Sequence, residues 1–273
     1  MRRVRLDVAM VERGLVGSRS EAAALITEGR VRVLGSIADK PARQVAPSEA
    51  IVVIDDRPSF VSRGGRKLEA ALDLFEVDPR NRTAIDAGSS TGGFTDCLLQ
   101  RGALGVIAVD VGYGQLHERL RADPRVVCLE RTNIRALERL SAIEMLEPFP
   151  APSLVVADLS FTSVVPICAR LVELAGPGGE VIVLCKPQFE VGRQVAARGR
   201  GVVKDDADRA GALRSVVDAL AATDVNVAGI GTSPILGPAG NAEFLVYATT
   251  LSPALLDLDA AITAAVERAG ELS

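Results

Sequence analysis

The order of apolar and polar positions divides the chain into two unequal parts. Near the start, RLDVAMVERG, stopped at Gly14, and SRSEAAALITEG, stopped at Gly29, each space their apolar residues for one helical face. The second has Ser18 or Ser20 as its N-cap and Ala22, Leu25 and Ile26 on its inner side. Short apolar stretches at Val31–Leu34 and Ile51–Ile54, set among Gly, Pro and charged residues, predict small strands. We assign residues 1–60 to a small α+β module and residues 61–273 to a second, larger domain. Beyond the module, strand-like runs alternate with helix-like runs, the pattern of a parallel sheet covered on both faces. Strands are predicted at Thr83–Ala87, Gly105–Val109, Val126–Glu130, Ser153–Asp158, Glu180–Leu184, Val225–Thr232 and Glu243–Thr249. Only a Gly/Pro-rich connection separates the last two, too short for a crossover helix, so they pair antiparallel. Helices are predicted at KLEAALDLF from Lys67, from Thr95 onward, and over Pro253–Ala269.

Composition excludes several classes. With 48% hydrophobic and 24% charged residues the chain can bury a sizeable core. Cys97, Cys128, Cys168 and Cys185 form no CxxC pair, which argues against a disulfide framework and a zinc site; no metal is expected, and a reducing, cytoplasmic setting fits. MRRVRLDVAMVERG lacks an apolar h-region, so no secretory signal is expected. The longest uncharged run, Val225 to Ala242, holds four Gly and two Pro, and no membrane partner is expected. The net charge of −4 is unevenly divided: residues 1–66 carry 12 basic and 8 acidic side chains, residues 67–273 carry 19 and 27. A basic front module suggests a polyanionic partner. Oligomeric state is not legible.

The chemistry-bearing segments lie at strand ends. The first predicted strand runs into Asp86-Ala-Gly88-Ser89-Ser-Thr-Gly92-Gly93-Phe94, a turn that lets a ligand approach the backbone at a helix start. It has neither GxGxxG spacing nor a P-loop lysine, which disfavours phosphate cradling. The second strand ends at Asp110, where a doubly wound sheet binds ribose hydroxyls; a helix cap is the alternative. An acid before an uncharged glycine turn suits a cationic ligand and points to S-adenosylmethionine. Asn133, past the third strand, either contacts adenine or caps the next helix. Lys67, Asp158, Lys186 and Glu243 stand where strands or a helix meet the same cleft, and Lys186 follows an apolar strand at its carboxyl end. His117, the sole histidine, lies in a helix-like segment without a nucleophile partner, and Tyr113 is expected to line the cofactor site.

Through VSRGGRKL, DAGSSTGGFTD, AVDVGYGQL, ERTNIR, VVADLSF, KPQFEVGR and SPILGPAGNAEF, in that order, nearly the whole chain resembles the TlyA family. These are two-domain proteins once described as haemolysins and now understood as ribosomal RNA 2'-O-ribose methyltransferases. The resemblance implies an S4-like RNA-binding domain joined to an FtsJ-like, Rossmann-like class I methyltransferase domain. It places a Lys-Asp-Lys-Glu catalytic set on Lys67, Asp158, Lys186 and Glu243. It implies S-adenosylmethionine contacts from Asp86, Gly88, Ser89 and Asp110, with Gly92, Gly93 and Phe94 nearby, and cytidine in 16S or 23S rRNA of ribosomal subunits as substrate. Residues 1–59 contain no Phe, Tyr or Trp, so RNA contacts fall to arginines: Arg3, Arg5, Arg19, Arg30 and Arg32, with Arg63 and Arg66 of VSRGGRKL. A non-catalytic ribosome-binding protein and a membrane-active haemolysin are the competing readings; methyl transfer and liposome leakage discriminate them.

Overall fold

The computed structural model describes residues 3–27, 31–53, 60–192, 199 and 201–272, with the backbone alone at Leu140, Ala142 and Ile143. The chain divides into two units, 1–59 and 60–273. Arg30 and Ile54 lie outside the described residues.

In the first unit, β1 (Val4–Arg5) leads into α1 (Leu6–Glu12), and α2 (Arg19–Thr27) follows, with the Ser18 hydroxyl accepting from the Glu21 amide at 3.2 Å. Then come β2 (Val31–Val33), β3 (Ser36–Ile37), β4 (Gln44–Val45) and β5 (Ile51–Val53). Strand β2 is central, antiparallel to β3 and β5, and β1 pairs antiparallel with β4. The two-residue β1, β3 and β4 were not legible as an alternating pattern, because period two needs more positions to register. Leu6, Met10, Ile26, Val31 and Val45 are fully buried and form the core of this unit.

In the second unit, α3 (Gly64–Leu74) precedes β6 (Thr83–Ala87) and α4 (Gly93–Gln100), then β7 (Gly105–Val109), α5 (Glu118–Arg121) and β8 (Val126–Leu129). After α6 (Arg139–Met145) come β9 (Leu154–Ala157), α7 (Cys168–Ala175), β10 (Glu180–Cys185), α8 (Pro187–Glu190) and α9 (Asp206–Ala221). The chain closes with β11 (Asn226–Thr232), β12 (Phe244–Thr249) and α10 (Leu258–Gly270). The seven strands stand in the order β11-β12-β10-β9-β6-β7-β8, and β12 alone runs against the others. This is the α/β sheet that the alternation predicted, with β12 inserted between β10 and β11. Every residue of β6, β7, β9, β10 and β12 is buried, as a sheet covered on both faces requires.

Three helix starts differ from expectation for local reasons: α10 begins at Leu258, five residues after Pro253, where the Asp257 carboxylate accepts from the Ala260 amide at 2.9 Å and caps it. Helix α3 begins at Gly64, three residues before Lys67, and α4 begins at Gly93 rather than Thr95; in both, glycines that sequence reasoning left in turns take helical backbone. His117 lies just outside α5 rather than within a helix: its Nδ1 accepts from the Arg119 amide at 3.2 Å and caps that helix.

Candidate active site

Parallel strands deliver whatever follows them to one end of the sheet. Gly88 follows β6, Asp158 follows β9 and Lys186 follows β10. Glu243 reaches the same end from the opposite direction, because β12 is antiparallel to β10 with Cys185 opposite Phe244. Lys67 arrives on α3, whose buried stripe holds Lys67, Leu68, Ala71 and Leu72 at helical spacing. Four side chains from distant segments therefore meet as two ion pairs. Lys186 Nζ lies 2.5 Å from Asp158 Oδ1 and donates to the Ser160 hydroxyl at 2.8 Å. Lys67 Nζ donates to Glu243 Oε2. Lys67, Lys186 and Glu243 are buried, Asp158 half-buried.

A cleft of about 400 Å³ opens beside these pairs, lined by Lys67, Asp158, Ser160 and Lys186 on one side and by Gly88, Ser89, Gly93 and Phe94 of the glycine-rich turn on the other. Gly88 has φ +86°, and a Cβ there would stand 2.6 Å from the Asp158 carbonyl oxygen, so only glycine lets β6 and β9 end this close together. At Gly93 a Cβ would meet the Ser62 hydroxyl at 2.2 Å and the Gly65 amide at 2.8 Å, which seats α4 against the start of α3.

Beneath the turn, Asp86 is fully buried. Its Oδ2 accepts from the Thr95 amide at 2.9 Å and hydroxyl at 2.7 Å, while Oδ1 is buried without a hydrogen-bond partner among the described residues. Burial pushes its carboxyl up to about 7; the bonds from Thr95 oppose this, and the charges of Asp158 and Asp110 add to it. An orphaned oxygen amid gathered carboxylates is an environment that a bound cation relieves, so the residues present fit S-adenosylmethionine.

The remaining candidates are placed differently. Asp86, Asp110 and Asn133 do not themselves line the cleft. Asp110 accepts from the Ser90 amide at 2.8 Å and the Gly112 amide at 2.7 Å, fixing both the glycine turn and its own loop. Asn133 caps a 3₁₀ turn, its oxygen accepting from the Arg135 amide at 3.0 Å. Gly92, with φ +96°, caps α4 rather than lining the cleft. Tyr113 is exposed and away from the cleft lining, with the Arg131 guanidinium 4.2 Å from its ring centre. Arg63 lines the cleft and donates to the Leu236 carbonyl at 2.9 Å, and Arg66 is exposed. Arg3, Arg5, Arg19 and Arg32 are exposed or half-exposed on the first unit. Burial pushes the thiols of Cys97 and Cys168 up to about 12 and that of Cys185 well above its ordinary value, consistent with no chemistry at these positions.

Three residues escaped sequence reasoning. Ser160 shares Lys186 with Asp158. Phe161 is 92% exposed with φ +64°, a backbone region that bulky residues avoid, and its ring lies 5.6 Å from that of Phe189. Glu190 holds this loop, accepting from the Val164 amide at 2.9 Å and from the Ser163 hydroxyl. An aromatic just past a strand-end carboxylate, in a chain with 3% aromatics, was the available signal.

Comparison with known proteins adds the following. An S4 domain matches residues 4–51, and the FtsJ-like methyltransferase family matches residues 60–250. A 16S/23S rRNA (cytidine-2'-O)-methyltransferase, TlyA, of Mycobacterium tuberculosis is 44% identical over 91% of this chain and 91% of its own length. Hemolysin A of Brachyspira hyodysenteriae is 35% identical over 89% of this chain and 99% of its own. A solved structure from Streptococcus thermophilus aligns with TM-score 0.72 and 36% identity over 99% of this chain and 97% of that one.

Proposed function

This chain belongs to the TlyA family of rRNA (cytidine-2'-O)-methyltransferases, an S4 domain followed by an FtsJ-like methyltransferase domain, and on that premise we propose how it works and on what. It moves a methyl group from S-adenosylmethionine to the ribose 2'-hydroxyl of a cytidine in 16S or 23S rRNA, within ribosomal subunits. The observation that carries this reading is the meeting of Lys67, Asp158, Lys186 and Glu243 beside the glycine-rich turn.

S-adenosylmethionine, when bound, supplies an electrophilic methyl group on a sulfonium. Gly88, Ser89, Gly93 and Phe94 would hold it, with Asp86 as the buried counter-charge and Asp110 shaping the turn. A ribose hydroxyl is a poor nucleophile, so the protein must take its proton as the new O–C bond forms and the methyl's bond to sulfur breaks, which would leave a neutral thioether. We assign this to Lys186 Nζ. The ammonium that results is the species that Asp158 and the Ser160 hydroxyl are placed to hold, so the charge developing at Nζ meets partners already in position. Lys67, fixed by Glu243, steers the hydroxyl or the neighbouring phosphate. Phe161, exposed beside Ser160, offers a face on which a base can stack, and thereby holds the ribose toward Lys186. Such a substrate places the protein with ribosomes in the cytoplasm.

The test is incubation with isotopically labelled S-adenosylmethionine and separated 30S and 50S subunits, followed by mass mapping of the nucleotide. Label in 2'-O-methylcytidine supports the reading. Label on a base, or none in either subunit, overturns it.

A further inference from the structure

Among the described residues of the front unit, Asp7 is the one buried carboxylate, and the proposed chemistry does not use it. Asp7 is 5% exposed at its side chain, yet it faces two arginines that are 44% and 61% exposed, Arg5 and Arg19. Its Oδ1 accepts from Arg5 Nε at 3.0 Å and from the Val8 amide at 3.0 Å. Its Oδ2 accepts from Arg5 Nη2 at 3.0 Å and Arg19 Nη2 at 2.9 Å, so one oxygen ties together two guanidiniums from different elements, β1 and α2. The Arg5 fork is bidentate, the geometry that fixes a guanidinium plane as well as its position.

We propose that Asp7 is a positioning residue for RNA binding: it clamps Arg5 and Arg19 side by side so that their remaining N–H groups face outward as a ready-made fork for backbone phosphate. This rests on the reading of the front unit as the RNA-binding part. Two guanidiniums this close repel one another, and each long side chain loses freedom when it is fixed. The buried carboxylate offsets the repulsion and fixes both side chains on folding, so that neither cost falls on the binding step. The bond from Arg5 leads the effects that hold the Asp7 carboxyl at about 2, so the clamp stays charged throughout the range in which the protein works.

The test sets positioning against simple charge, which predict opposite signs. Asp7→Asn removes a negative charge from the face that meets RNA. If net charge alone mattered, affinity for ribosomal subunits would rise. The clamp predicts a loss of about tenfold, similar to that of Arg19→Ala, with no further loss when the two are combined. Wild-type or tighter binding by Asp7→Asn, with Arg19→Ala still weakened, overturns the clamp and leaves the RNA reading standing. If Arg5→Ala and Arg19→Ala both bind as wild type, the RNA reading of these arginines fails and the clamp with it. A second measurement covers the case in which Asp7→Asn does not fold. In the free wild-type protein, the Arg5 Nε–H proton is expected to exchange slowly by nitrogen-15 NMR, and fast exchange matching that of the exposed Arg66 contradicts the clamp.

Discussion

Single residues in the site are held by electrostatics that can be separated from chemistry. Lys67 and Glu243 form a buried pair, so removing one partner strands the other charge. Glu243→Ala is expected to lower the unfolding free energy by about 3–5 kcal/mol, measured by urea denaturation. The apolar exchange Lys67→Met with Glu243→Leu is expected to recover most of that stability while methyl transfer stays lost. Recovery of both would show the pair to be structural only. Asp86 gives a pH signature. Its folded-state value of about 7 lies above the usual carboxylate range, so its ionisation opposes folding: stability falls as pH rises from about 4 toward 7 and levels off above that. A cationic ligand favours the carboxylate, so S-adenosylmethionine affinity is expected to climb with pH up to about 7 and then level off. Calorimetric titration checks this, and Asp86→Asn is expected to flatten the profile. At this scale Lys186 was legible because a lysine after an apolar strand has few structural reasons to be there. Asp110 and Asn133 were not separable into ligand contact or cap, since an Asp or Asn at a strand end serves either role with the same atoms. Phe161 was illegible because its exposure depends on a left-handed backbone that no local pattern announces.

At the scale of elements, the site depends on how strands end. Gly88→Ala would force a Cβ against the Asp158 carbonyl and a side chain into a left-handed backbone. Methyl transfer is expected to fall by about tenfold or more, because displacing the end of β9 moves Asp158 and with it Lys186. The same substitution at Gly211, on α9 with nothing within 4 Å of its added Cβ, is expected to leave turnover unchanged and stability equal or higher, by steady-state rates and thermal melts. The long strands were readable from sequence because each is a run of apolar residues bounded by turn formers, and the antiparallel β12 followed from the short link before it. What sequence did not contain was the register, in particular Cys185 opposite Phe244, which brings Glu243 level with Lys186. Register is settled by packing across the whole sheet rather than by any one segment.

For the whole molecule, the uneven charge that composition revealed is expected to follow a division of labour. The front unit carries exposed arginines and no aromatic residue, so its grip on RNA is expected to be electrostatic. The logarithm of affinity for ribosomal subunits should fall linearly with log salt, and removing Arg19 should shallow that slope by about one phosphate contact. Affinity that does not change with salt would contradict it. Chemistry resides in the second unit, where the cleft lies. The measurement that tests the account most directly is methyl transfer by Lys186→Ala on ribosomal subunits, alongside its S-adenosylmethionine affinity by calorimetry. The account predicts that turnover falls by about 10²–10⁴-fold while cofactor affinity stays near wild type. Near-normal turnover in that variant would contradict it.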